Sequence, residues 1–279
     1  VYFFLNLALV PDVIDVYKSR FPEFVPDQER GVQLLKRLIG SASYTDVFYA
    51  SEMLGVGGAA NITAENGTEI VTIIEQALNG FDVKKDDLAT FILRADLMYE
   101  IFDRGYFGPR DPKAARHYIE LAAKKGSDKH AINLGWSIFT GEESGTFEDA
   151  ISYTKRAILS GDYNYRLVAL NNLGAMYSSL GNYQLAEKYW IDAAGLGVAS
   201  GYSWPFENLT RLFLFGAEER SVNLKLALKW AKEAAKFPNR GHYLRFLNQV
   251  DFSNIQTRAQ IVQEYEKFAV SGEFEALWD

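Results

Sequence analysis

The chain has 279 residues, 48% of them hydrophobic and 14% aromatic, enough apolar surface for a folded core and too much for a disordered segment. Its net charge is −7 with no run of five basic residues, which disfavours sequence-independent nucleic-acid binding and attachment to anionic membranes. Cysteine is absent, so disulfides, thiolate catalysis and Cys-based zinc sites are excluded.

Val1 to Val10 is almost wholly apolar, interrupted by Asn6 and followed by Pro11. A bilayer takes about twenty residues, so this stretch cannot span one. It also lacks the basic start and small-residue cleavage site of a signal peptide, and is expected to pack as a helix or strand in an N-terminal cap over residues 1–25. The first residue is Val rather than Met, which reads as a processed or excised chain. With the lack of Cys, this leans the expected location toward export, the periplasm or the envelope.

Residues 26–87 read as degenerate helical repeats around a Gly-rich loop. Val32, Leu34, Leu35, Leu38 and Ile39 form one apolar stripe on a helix from Asp27 to Leu38, ended by Gly40. Thr45 to Leu54 and Glu69 to Leu78 form the next pair, the latter stopping at Gly80. The intervening Gly55 to Gly67 lacks the Gly-Lys-Ser/Thr ending and preceding strand of a phosphate-cradling loop. Glycosylation-type triplets begin at Asn61, Asn66 and Asn208; about two are expected by chance, so they support a secretory route only weakly.

From residue 88 to 240 the chain repeats itself. Ala122, Ala157, Ala193 and Ala234 close successive units at offsets of 35, 36 and 41, while Met98, Leu134, Leu173 and Leu209 follow at 36, 39 and 36. Tyr118, Tyr153, Tyr189 and Trp230 form an aromatic series in step. Self-similarity at this period marks stacked helix pairs. The units run from about Leu88 to Ser127, His130 to Asp162, Arg166 to Ala199 and Pro205 to Phe237. Gly105, Gly141, Gly181 and Gly216 are placed to end the first helix of each, and Gly126, Gly161 and Gly197 the second. Ala115, Ala150, Ala186 and Ala227 lie where paired helices approach. Residues 241–279 supply a closing pair, His242 to Phe252 and Asn254 to Ser271, which covers the last apolar face.

The first unit resembles the Sel-one-like repeat at Gly105, Pro109, Asp111, Ala115, Tyr118, Ala122, Ala123 and Gly126. The third resembles the related tetratricopeptide repeat at Leu173, Gly174, Tyr177, Gly181, Tyr183, Ala186, Trp190 and Ala193. The second keeps Leu134, Gly135, Gly141, Ala150, Tyr153 and Ala157. The fourth keeps Leu209, Phe213, Gly216, Ala227, Trp230, Ala234 and Ala235 but has Thr210 for the usual Gly. The resemblance implies an all-α, right-handed superhelix of antiparallel helix pairs, with adaptor or assembly roles in quality control, signalling, or bacterial envelope and polysaccharide machinery. Function taken from a fold is an associational argument.

In that family the first helix of each unit lines the concave face. Carried over, this points Asn133, Asn172 and Asn208 into a groove, where amides could pair with the backbone of an extended peptide or instead bond within and between helices. Trp136, Phe139, Ser179, Arg211 and Phe215 follow one turn along, and buried aromatics and Arg concentrate binding energy. The Lys and Asn clamp by which some tetratricopeptide proteins grip a terminal carboxylate is absent, with Ile132, Trp136 and Trp204 at its positions and only Asn172 agreeing. Tyr163, Tyr165, Tyr202, Trp204 and Phe206 enrich the turns and are expected at the core edge or on a second rim.

His117, His130 and His242 show no metal-ligand spacing, and no Gly-x-Ser-x-Gly elbow occurs. The doublets Asp86-Asp87, Glu142-Glu143 and Glu218-Glu219 fall in turns or at helix starts, where negative charge suits the helix dipole. The expectation is therefore a non-catalytic scaffold without cofactor or metal, binding a protein or extended peptide along its groove. The alternative is an envelope component that binds or guides a glycan. An accessory enzyme would need an acidic cleft.

Overall fold

The computed structural model describes residues 2–55, 58–82, 86–216, 221–255 and 257–270. Among these residues there are fifteen α-helices and no strand, in keeping with the all-α expectation. Glu218-Glu219 and Ser271 lie outside the described residues. The chain divides into two compact units, Val1–Leu134 and Gly135–Asp279, each with its own apolar core.

The first unit contains α1 (Tyr2–Leu9), α2 (Pro11–Arg20), α3 (Gln28–Ile39), α4 (Tyr44–Gly55), α5 (Ala64–Asn79), α6 (Leu88–Arg104) and α7 (Pro112–Lys125), and the start of α8 (Asp128–Thr140). The apolar N-terminal stretch is a helix, α1, whose Leu5 and Leu9 are fully buried. It lies tight on α3, since a Cβ at Gly31 would come within 2.6 Å of the Ala8 Cβ. Side chains close the helix starts: Asp27 accepts from the Arg30 N–H, Thr63 from Asn66, and Asp87 from Ala89 and Thr90. Arg94 of α6 is buried and donates to the carbonyls of Ile39 and Ser41, satisfying acceptors at the C-terminal end of α3.

A polar chain joins α6 to the start of α8. Ser127 and His130 are buried; Ser127 Oγ lies 2.7 Å from His130 Nδ1, and His130 Nε2 lies 2.6 Å from Asp96 Oδ1. Ser127 also accepts from the His130 backbone N–H, so its hydroxyl serves as a helix cap. A serine, a histidine and an aspartate in line invite comparison with a hydrolytic triad. Ser127 is only 3% exposed, however, and its hydroxyl is committed to the cap, so the chain is a structural tie. Removing one buried partner leaves the others unsatisfied, at a cost of about 1–3 kcal/mol. His130→Ala should lower the melting temperature by several degrees, with Ser127→Ala following to a smaller extent. Melting of both variants with the wild type would show that the tie holds nothing.

The second unit contains α9 (Phe147–Arg156), α10 (Tyr163–Ser179), α11 (Tyr183–Ser200), α12 (Trp204–Phe215), α13 (Leu224–Ala234), α14 (His242–Gln249) and α15 (Arg258–Val270). Here α10 with α11, and α12 with α13, are helix hairpins. Contacts from Tyr163 to Leu196, Gly174 to Trp190 and Tyr177 to Tyr189 run in opposite directions along α10 and α11, which makes that pair antiparallel. Gly105, Gly141, Gly181 and Gly216 all have positive φ and lie within two residues of the end of the first helix of a pair, as expected. Gly126 does the same after α7.

Two glycines depart from the expected pattern. Gly161 is not left-handed: α9 gives way to a 3-10 turn over Ala157–Leu159, closed at Ser160. Gly197 lies inside α11, which continues to Ser200 and ends at Gly201 with φ 77°. Space is tight there: a Cβ would sit 3.1 Å from the Tyr202 carbonyl oxygen and 3.3 Å from Phe206, closer than ordinary van der Waals contact.

Close approach within the pairs rests on matched sizes. A Cβ at Gly174 would fall 2.4 Å from the Trp190 ring, and one at Gly135 would fall 2.3 Å from Thr154 Oγ1. In the fourth unit Thr210 takes the glycine's place, and the position equivalent to Trp190 is Ala231; both are fully buried. Thr210 satisfies its hydroxyl by donating to the Phe206 carbonyl at 2.8 Å. The departure from the repeat pattern is thus matched by a smaller residue on the facing helix. Gly174→Ala should cost about 1–3 kcal/mol by overpacking. Combined with Trp190→Leu it should cost less than the two single losses added, as read from denaturant melts. Full additivity would mean that the two positions do not share one space.

Candidate functional site

The second unit holds an open pocket of about 980 Å3, within the range of small-ligand and peptide side-chain sites. The first helix of the fourth repeat, α12, contributes Glu207, Asn208, Arg211 and Phe215. The closing helices supply the opposite side. α14 brings His242 and Tyr243 at its N-terminal turn, and α15 lays Arg258, Val262, Tyr265 and Ala269 along one face. That spacing of i, i+4, i+7 and i+11 is a single helical stripe.

The aromatic wall is interlocked. Phe215 meets Tyr265 edge-on at 5.2 Å, and Tyr265 stacks on Tyr243 at 5.5 Å. Burial pushes the Tyr243 and Tyr265 hydroxyls up from the ordinary phenol range. The polar wall is arginine-rich. Arg240 Nε lies 3.6 Å from Glu207 Oε1, a carboxylate oxygen that also accepts from Ser203 Oγ at 2.6 Å. Arg211 and Arg258 are exposed and make no ion pair among the described residues. His242 is 5% exposed, and burial, with Arg245, Arg240 and Arg211 nearby, pulls its pKa from the usual 6.5 down to about 4.

Of the eight residues expected on the groove, the pocket gathers Asn208, Arg211 and Phe215. Asn208 Nδ2 donates to Asn171 Oδ1 at 3.0 Å, while Asn172 is buried. Asn133 is exposed in the first unit. Trp136 and Phe139 are half-buried in the second unit, where Phe139 packs on both Trp136 and Phe147. Ser179 is exposed and donates to the Ala175 carbonyl; its neighbour Ser178 faces the pocket instead. Of the turn aromatics, Phe206 is buried, whereas Trp204 is 42% exposed with Tyr202 at 5.0 Å. Arg240, Tyr243, Arg258 and Tyr265 were not expected, because the last helices read only as a cap. The apolar-basic stripe of α15 was the signal available for Arg258 and Tyr265.

The glycosylation-type asparagines are engaged. Asn61 Nδ2 donates to the Leu9 carbonyl, Asn66 Oδ1 accepts from Lys36, and Asn208 is held as described. Among the described residues no group of three or more His, Asp or Glu side chains is placed to hold a metal ion, and no helix is long and apolar enough to cross a membrane.

No family model and no curated protein matches this chain. Among solved structures it is similar to a Sel1 repeat protein from Oxalobacter formigenes, at 16% identity and a TM-score of 0.49, over 90% of this chain and 94% of that one. A likeness at this level carries nothing about function, and the helix pairs stand on their own contacts.

The lowered pKa of His242 has a signed consequence for stability. The unfolded chain takes up a proton near pH 6.5 and the folded chain only near 4, so His242 favours the folded state above pH 6.5. That contribution is lost progressively as pH falls through this window. Melting temperatures from pH 7 to 4 should fall more steeply for the wild type than for His242→Gln. Parallel curves would contradict the assignment.

Proposed function

We propose that this chain is a non-catalytic scaffold that binds a protein or peptide partner, and that the pocket of the second unit is a docking point. The observation that carries this reading is the meeting of Asn208, Arg211 and Phe215 from a repeat helix with Tyr243, Arg258 and Tyr265 from the closing helices. Such a surface combines a rigid aromatic wall with exposed guanidiniums, the residue types in which binding energy concentrates. Its charged groups are three arginines and two glutamates, and one of these, Glu207, accepts from the Ser203 hydroxyl. The Ser127 hydroxyl, which lies beside His130, is buried in a cap in the first unit.

A displayed peptide library, selected on the intact chain, tests the reading. The wild type should enrich a family of related sequences, and a variant with Arg211→Ala and Phe215→Ala should lose at least about tenfold in affinity for them. Circular dichroism should show equal helicity in the two proteins. Equal enrichment by both, or none by the wild type, would count against the pocket as a docking point.

A further inference from the structure

We propose that the pocket of the second unit recognises an acidic segment of a protein partner, seating one carboxylate among Arg211, Arg240 and Arg258 and an adjacent apolar side chain against Phe215 and Tyr265. The inference rests on the reading of this pocket as a peptide-docking point and specifies the chemistry of the peptide.

Charge argues for an anion. The chain as a whole is acidic, at −7, yet three guanidiniums converge on this one pocket. Arg211 and Arg258 have no ion-pair partner among the described residues, and Arg240 has only a distant one in Glu207. Guanidinium groups bind carboxylates through paired N–H donors, so their convergence at an aromatic wall is a built receptor for such a group. The N-terminal turn of α14 adds to it: Gly241 provides no side-chain cap, and the next two residues, His242 and Tyr243, line the pocket.

Charge also limits the anion. Glu207 and Glu266 line the pocket too, so three guanidiniums against two carboxylates leave one positive charge. A single carboxylate matches this balance better than a doubly charged phosphate does. Size then argues for a peptide over a free small anion. A volume of about 980 Å3 holds several side chains, and Leu212, Phe215, Val262 and Tyr265 offer apolar surface that an inorganic ion could not use. The buried imidazole of His242 acts as a reporter, because two of the arginines that add to burial in holding its pKa down, Arg240 and Arg211, are groups a bound carboxylate would neutralise.

The test is titration of the full chain with a blocked peptide of alternating Glu and Phe, with its Gln-for-Glu counterpart, and with inorganic phosphate. The acidic peptide should bind roughly tenfold or more tightly than the Gln peptide, as expected when a charge-assisted hydrogen bond is lost. Arg211→Gln and Arg258→Gln should each remove most of that preference at unchanged helicity, and Arg211→Lys should restore part of it. NMR titration of His242 should shift to higher pH in the presence of the acidic peptide. Equal binding of the two peptides would overturn the acidic specificity while leaving peptide docking intact. Binding of phosphate with neither peptide bound would overturn both. Unchanged preference in the two Gln variants would place the carboxylate elsewhere and also overturn the inference.

Discussion

The distance at which paired helices can lie is set by what their facing residues leave room for. Gly174 admits the Trp190 ring, Gly135 admits Thr154, and Thr210 comes with Ala231 at the corresponding position across from it. Large and small residues thus trade sides from one pair to the next while the space between helices stays filled. Trp190 does more than occupy volume, because its Nε1–H donates to the Asn171 carbonyl at 3.1 Å and its ring reaches the pocket. Asn171 in turn receives Asn208. The packing of α10 on α11 therefore bears directly on where α12 presents its binding residues.

Local chemistry made the helix pairs legible in the sequence. The left-handed glycines after each first helix, the buried Ala series and the apolar N-terminal helix all follow from propensity and pattern. A further series carried the same information. Asp111, Thr146, Asn182 and Asn223 cap the second helix of each pair, at offsets of 35, 36 and 41, the same as those of the closing alanines. Gly197 shows the limit of this approach. A helix-ending glycine and one lying close under a neighbour's carbonyl look alike until the neighbour, Tyr202, is in place.

The pocket was harder to see, for a physical reason. Arg211 and Phe215 could be placed on a first helix, but the residues that turn that helix face into a pocket lie dozens of positions later, on helices that read as a cap. Covering the last apolar face and building a binding wall call for the same aromatic residues, so Tyr243 and Tyr265 satisfy both demands. Only their placement beside Arg211, Arg240 and Arg258 separates the two roles. Burial of His242 among these cations, which keeps it neutral at physiological pH, is likewise a property of the assembled helices.

Amide hydrogen exchange, followed along the whole chain with and without an acidic, aromatic peptide, addresses the central claim most directly. Docking in this pocket predicts that added protection concentrates in α12, the first turn of α14 and α15. Protection centred on the first unit, or on α9 and α13 with these three helices unchanged, would contradict it.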